Sequence, residues 1–90
     1  MQAILFVRIE TELDADAVGQ RIEERRPLFA DVPGLIRKEF GRDPQSGSVC
    51  GIYFFESEAA LAAYRDSELA ASIPAAYAAS DVRREVYQLL

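Results

Sequence analysis

The sequence predicts a single α+β domain whose elements follow the order βαββαβ. Ninety residues are enough for one domain and too few for two. Four short runs rich in β-branched and aromatic residues alternate with two segments of helical periodicity. The composition, 50% hydrophobic and 28% charged, is that of an ordinary globular chain.

The first two elements are a strand and an amphipathic helix. Ala3–Ile9 is rich in apolar and β-branched residues and is predicted to be strand 1. Residues 11–14 offer helix caps, and the first turn after them is acidic, as a helix N-terminus prefers. Pro27 should interrupt this helix near its end, because proline removes a backbone donor. The apolar side of the helix is formed by Val18, Ile22 and Phe29.

The middle of the chain predicts a hairpin followed by a second helix. Leu35–Phe40 and Val49–Phe55 are predicted to be strands 2 and 3, and residues 41–48 between them are rich in turn formers. Ser57 is a suitable N-cap for a helix that runs toward Leu69. Ten alanines between residues 59 and 79 either leave room for a pocket or merely favour helix.

The last part predicts a further helical piece over residues 74–79, ended by Asp81, and then strand 4 over Val82–Leu89. This order, with loops that suit antiparallel neighbours, predicts a ferredoxin-like domain over residues 1–90. Its four-stranded antiparallel sheet would carry both helices on one face.

The strands are apolar on both sides. In strand 1, Leu5 and Val7 point to one face while Ile4 and Phe6 point to the other. Two helices can cover only one face, so the second would remain an exposed apolar patch unless another subunit packs on it. The sequence therefore predicts a homodimer with the sheets face to face.

Composition excludes several kinds of function. A net charge of −5 with scattered basic residues argues against nucleic acid as a partner. No run of about 18 apolar residues could span a membrane, and we expect a cytoplasmic protein. The chain has one cysteine, Cys50, interpreted as a small buried apolar residue, and no His, Trp or Asn. Histidine-dependent nucleophiles and histidine-ligated metal or haem are thus excluded, and no metal site is predicted.

Two segments carry a resemblance to a known family. Residues 32–40 read VPGLIRKEF, and residues 46–56 read SGSVCGIYFFE, followed by Ala60 and Tyr64. This pattern resembles the YdhR-like family of proposed monooxygenases within the dimeric α+β barrel superfamily. Cys50 departs from it, since a second glycine is expected before Gly51.

The resemblance implies a dimeric α+β barrel with a ligand cavity between sheet and helices. It also implies a monooxygenase that needs neither metal nor flavin and acts on a small aromatic or phenol-like substrate. The superfamily also contains isomerases, cyclases and proteins without assigned activity. An isomerase or cyclase, and a non-catalytic dimer that binds a small hydrophobic ligand, therefore remain alternatives, and whether the chain is an enzyme stays open.

Lys38 and Tyr64 are the candidate catalytic residues. Lys38 is the only lysine and is predicted to share the helix-covered face with Ile36 and Phe40. Partial burial there would lower its pKa and suit it to hold a phenolate or enolate; the alternative is that it pairs with a carboxylate. Tyr64 could orient an aromatic substrate or could be core.

Tyr53, Phe40, Phe54 and Tyr77 are the candidate substrate-binding residues. The parity of the hairpin, meaning the alternation of side chains between the two faces along its strands, predicts that Tyr53 lies on the face opposite Lys38. This holds provided that no bulge shifts the register. Arg37 and Glu39 alternate with Lys38 and should point away from it.

Overall fold

A computed structural model describes all 90 residues and confirms the ferredoxin-like fold. Its four strands form one antiparallel sheet in the order β2-β3-β1-β4. The strands are β1 (Ala3–Thr11), β2 (Leu35–Arg42), β3 (Val49–Phe55) and β4 (Ala79–Gln88). The helices are α1 (Ala15–Arg25), α2 (Glu58–Arg65), α3 (Glu68–Ala71) and α4 (Ile73–Ala76), and a 3-10 turn spans Arg26–Phe29.

The two main helices begin at the side-chain caps that the sequence offers. The Asp14 carboxylate accepts a hydrogen bond from the backbone N–H of Ala17 at 2.8 Å. The Ser57 hydroxyl accepts one from the N–H of Ala60 at 3.1 Å. Pro27 lies in the first turn of the 3-10 segment, where its missing N–H costs least, so α1 ends before it.

The core is a single layer between the sheet and the helices. Leu5, Val7 and Ile9 alternate along β1 toward this layer and are each at most 4% exposed. Tyr53 and Phe55 of β3 reach the same layer through their pairing with Leu5 and Ala3. The opposite alternation, which we call the open face, carries partly exposed apolar side chains: Ile4, Phe6, Cys50, Ile52 and Phe54. Cys50 is therefore only half-buried in one copy of the chain.

Several boundaries differ from the prediction, since β1 and β2 each extend two residues further, to Thr11 and Arg42, and the helical piece predicted over residues 74–79 is Ile73–Ala76. The helix predicted to reach Leu69 ends at Arg65, because the Ser67 hydroxyl caps a new turn at the N–H of Ala70. The prediction that Asp81 precedes strand 4 is wrong, since β4 already begins at Ala79 and Asp81 pairs with Glu10. Pairing with β1 outweighs the low strand propensity of an exposed aspartate.

The register of the β2–β3 hairpin overturns the predicted parity of Lys38 and Tyr53, and a bulge in β2 changes the face of Ile36. Leu35 faces Phe55 while Arg37 faces Phe54, so Ile36 is an extra residue and is 52% exposed. The regular pairing runs from Arg42 and Val49 at the turn to Arg37 and Phe54, and it places Lys38 directly opposite Tyr53. The two side chains therefore share the helix-covered face, and Ile36 does not share it with Lys38, because one inserted residue reverses the alternation.

None of the helices has the length and apolar character needed to cross a membrane.

Candidate functional site

The Lys38 ammonium group lies in a cage of aromatic rings on the helix-covered face. Its Nζ atom is 3.6 Å from the ring centroid of Phe29, 4.4 Å from that of Tyr53 and 4.6 Å from that of Phe40. Phe29 comes from the 3-10 turn, Tyr53 from β3 and Phe40 from β2 itself. The negative ring faces replace part of the hydration that the ammonium loses on burial.

No carboxylate balances this charge. The ion pairs of the structure involve only arginines, so the predicted alternative of a Lys38–carboxylate pair is not formed. Burial and, to a smaller extent, the positive charges of Arg25 and Arg26 together lower the pKa of Lys38 to about 7. At neutral pH the side chain is thus divided between the ammonium and the free amine. A partly desolvated cation without a partner is costly in a fold and favours the binding of an anion.

A small inner cavity adjoins Lys38. Its volume is about 20 Å³, enough for one water-sized molecule. Tyr53 and Tyr77 line it with Lys38 and Phe40, and the remaining wall is mostly apolar. The hydroxyl of Tyr77 is buried and makes no hydrogen bond of normal geometry, although the Arg25 guanidinium lies close enough to oppose the rise of its pKa. A buried hydroxyl left unpaired costs about 1–3 kcal/mol, so it is available to a guest in this cavity.

Arg25 is a second cation near this site. Its guanidinium carbon lies 5.9 Å from the ring centroids of both Phe29 and Tyr77, and one terminal nitrogen donates to the Ser72 hydroxyl at 2.9 Å. Its Nε atom is buried and unpaired. Two cations thus flank the aromatic cage without an opposing carboxylate.

Tyr64 stands behind Tyr53 rather than in the cavity. Its hydroxyl donates to the Tyr53 hydroxyl at 3.2 Å, and the two ring centroids are 5.1 Å apart. Burial raises the pKa of Tyr53, of Tyr64 and of Tyr77. These hydroxyls therefore stay protonated at neutral pH and can donate hydrogen bonds or protons but cannot serve as ready bases.

A larger outer cavity of about 400 Å³ lies between α1 and the hairpin end of β2 and β3. Its walls include Val18 and Ile22 from α1 and Arg42 from β2. Phe40 and Val49 line both cavities and so separate the larger space from Lys38. A volume of this size is sufficient for a small aromatic ligand. It lies under α1 and not under the alanine-rich segment.

The structure thus gathers four of the six predicted site residues, Lys38, Phe40, Tyr53 and Tyr77, around the inner cavity. Tyr64 touches this group only through Tyr53. Phe54 lies on the open face, where the Arg37 guanidinium stacks 4.2 Å from its ring centroid, as expected for an Arg37 that points away from Lys38.

Sequence reasoning missed Arg25 and Gly51 as parts of this site. Arg25 reads as an ordinary basic residue in the last turn of a helix, and only its unpaired Nε reveals a role in the site. A Cβ atom on Gly51 would lie 3.2 Å from Tyr53 Cε1 and 3.4 Å from Lys38 Cε, so the glycine leaves space for the lysine stem. The sequence signal for this role of Gly51 is its position directly before Ile52-Tyr53.

The fold and the caged lysine define a small ferredoxin-like α+β domain with an enclosed site between sheet and helices. A family model described as "Putative mono-oxygenase ydhR" matches residues 4–90, and the chain belongs to this family. No curated protein is similar enough to count as a match.

Solved structures with the same fold extend over almost the whole chain. SnoaB from Streptomyces nogalater, described as a cofactor-independent oxygenase, is 14% identical, with a TM-score of 0.78 and 99% of this chain and 93% of that chain covered. NE2512 from Nitrosomonas europaea, of unknown function, is 24% identical, with a TM-score of 0.79 and coverage of 99% and 89%. A dimeric ferredoxin-like protein of unknown function from Thermobifida fusca is 21% identical, with a TM-score of 0.71 and coverage of 98% and 92%.

Proposed function

We propose that the chain is a cofactor-independent monooxygenase that acts on a small aromatic or phenol-like substrate. The observation that carries this proposal is the Lys38 ammonium, caged by three rings and opposed by no carboxylate, beside a cavity. The family of mono-oxygenases to which the chain belongs supports the oxidative chemistry. The aromatic cage supports an aromatic substrate, because its rings can stack on the ligand while the cation attracts its oxygen.

In this proposal Lys38 holds the phenolate or enolate oxygen of the substrate. Stabilising the anion makes the ring carbon electron-rich, so that it can react with molecular oxygen. For an anthrone, one O2 gives the anthraquinone and one water, which balances without another reductant. The inner cavity is too small for such a ring, so the substrate occupies the outer cavity and Phe40 must rotate to bring it to Lys38. The tyrosine hydroxyls supply hydrogen bonds to the oxygen atoms.

Oxygen uptake tests this function. With a panel of anthrones and hydroquinones, we expect wild-type protein to consume oxygen faster than buffer does. The Lys38→Met variant should consume it at a rate at least ten-fold lower than that of wild type. Methionine keeps an unbranched apolar stem of similar length and removes only the charge. Arg21→Met is the matched control, since Arg21 is exposed on α1 and pairs with Glu24. Uptake by Lys38→Met equal to that of wild type would refute the role of the ammonium.

A non-catalytic ligand-binding protein is the second candidate. It is favoured by the raised pKa values of Tyr53 and Tyr77, because tyrosines that stay protonated provide no base that could remove a proton from a substrate held by Lys38. Native mass spectrometry of the purified protein separates the two, because a retained ligand without any product supports binding alone. Turnover that persists in the absence of oxygen would instead select an isomerase or cyclase.

We infer that two copies of the chain pair through their open faces. Support comes from the half-exposed apolar side chains of this face and from Tyr87, which is 51% exposed. Structural relatives described as dimeric ferredoxin-like proteins point the same way. Pairing of the two open faces removes this apolar surface from water and requires no change in the fold of either copy.

Sedimentation at micromolar concentration tests the pairing. Wild type is expected to sediment as a dimer, and Phe6→Glu, which places a charge near the centre of the open face beside Glu85, as a monomer. Ala62→Glu, on the exposed outer side of α2, should leave the dimer intact. A wild-type monomer at this concentration would contradict the inference.

A further inference from the structure

We propose that Lys38 is also a site of reversible imine formation with small aldehydes or ketones. The reaction requires an amine freed of its proton, a water-poor pocket and a nearby proton donor, and the inner cavity brings the three together. This activity needs no oxygen and does not depend on the oxygenase proposal.

The surroundings of the amine carry the first part of the argument. Three ring faces surround Nζ at 3.6 to 4.6 Å, and no carboxylate holds it in the charged form. The charged or titratable groups that influence or face it are Arg25 and Arg26 from the α1 end, Cys50 and Tyr53 from β3, and Tyr77 after α4. The two arginines disfavour the ammonium, and both tyrosines are neutral near pH 7. A substantial fraction of Lys38 is therefore a nucleophilic free amine at neutral pH.

The proton donor is Tyr77. Its hydroxyl is buried, makes no hydrogen bond of normal geometry and belongs to a residue that lines the same cavity as Lys38. Attack of Nζ on the carbonyl carbon forms a C–N bond and a carbinolamine. Tyr77 then donates its proton to the departing hydroxyl, the C–O bond breaks and one water leaves. The proton lost by nitrogen returns to the tyrosine oxygen, so that one amine and one carbonyl give one imine and one water, without oxidation or reduction.

The size of the cavity limits the partner to a slender carbonyl compound. The volume of about 20 Å³ admits a carbonyl group, and the rest of the molecule occupies the outer cavity once Phe40, which separates the two spaces, has rotated. An aromatic aldehyde fits this arrangement, because its flat ring can lie against Phe40 and its carbonyl group is narrower than the ring. We therefore choose 4-hydroxybenzaldehyde as the probe.

The test uses the fact that Lys38 is the only lysine of the chain. Apart from its Nζ atom, the chain has one other aliphatic amine, at the amino terminus. Wild-type protein is incubated with 4-hydroxybenzaldehyde and cyanoborohydride without oxygen, and the adducts are located by intact mass and peptide mapping. We expect one adduct on Lys38, formed at a rate that saturates with aldehyde and exceeds labelling of the terminal amine at least ten-fold.

Two variants separate the chemistry from the fold. Lys38→Arg keeps a cation but cannot form this adduct, so only the terminal amine should be labelled. Tyr77→Phe is expected to slow labelling of Lys38 at least ten-fold while labelling of the terminal amine stays unchanged, and a circular dichroism spectrum equal to that of wild type verifies that it folds. Wild-type labelling confined to the terminal amine, or a Lys38 rate that rises linearly without saturation, would overturn the proposal. Because the experiment is anaerobic, its result is independent of any failure of oxygen uptake.

Discussion

Replacing Gly34 with alanine is expected to destabilise the fold by about 3 kcal/mol. Gly34 has φ = 76°, a left-handed conformation that costs a residue with a side chain roughly 1–2 kcal/mol. A Cβ atom there would lie only 2.5 Å from the Cβ atom of Ala60 on α2. The backbone cannot move away freely, because the carbonyl of Gly34 accepts a hydrogen bond from the N–H of Glu56 at 2.8 Å. Relief of such overpacking costs typically 1–3 kcal/mol more.

Gly47 provides the matched control for this prediction. It has φ = 80°, yet an added Cβ atom would meet nothing within 4 Å, so Gly47→Ala should cost only the conformational part, about 1 kcal/mol. The double variant Gly34→Ala/Ala60→Gly removes the clash between the two Cβ atoms. It should regain the part of the stability that the clash costs, less the cost of placing a glycine in α2. Urea unfolding at one fixed protein concentration measures all three. A cost for Gly34→Ala no greater than that for Gly47→Ala would contradict the contact between the start of β2 and α2.

The stability of the wild-type protein is expected to rise by roughly 2–3 kcal/mol between pH 7 and pH 9.5, relative to Lys38→Met. The pKa of Lys38 falls from an ordinary 10.5 in the unfolded chain to about 7 in the fold. Between these values the unfolded chain binds a proton that the folded chain has released. Raising the pH across this window therefore removes a penalty on the folded state and stabilises it.

Unfolding in urea at several pH values measures this difference. The Lys38→Met variant should lack the increment, while Arg21→Met should keep it, because Arg21 is exposed on the outer side of α1. The window stops at pH 9.5, since the raised pKa values of the buried tyrosines lower stability once unfolded tyrosine begins to ionise. If the free energy of unfolding changed with pH in the same way in wild type and in Lys38→Met, Lys38 would have to be hydrated in the fold.

Much of the fold follows from the sequence because local signals and burial agree. The caps at Asp14 and Ser57, the apolar alternation of β1 and the turn formers between β2 and β3 each act within a few residues. Lys38 stood out for a similar reason, as the only lysine in a strand with an apolar partner two residues later.

The site could be predicted less completely, because it depends on register and on contacts between distant segments. The turn formers between β2 and β3 predict a hairpin but not its register, and that register is what places Lys38 opposite Tyr53. The bulge that turns Ile36 away from Lys38 has no local signature either. Arg25 contacts Tyr77 from a helix more than fifty positions earlier in the chain, and no pattern in either segment predicts this contact. Phe54, in contrast, is a predicted substrate-binding residue that the alternation of β3 turns to the open face.

The ionisation of Lys38 tests the central claim most directly. Lysine labelled with 13C at Cε and 15N at Nζ gives a single side-chain signal, because the chain has one lysine. Following that signal against pH by NMR should yield a pKa near 7, and a phenolate ligand should raise it by stabilising the ammonium. A titration midpoint near 10.5, unchanged by phenolate, would mean a hydrated surface lysine and would remove the basis of the proposed site.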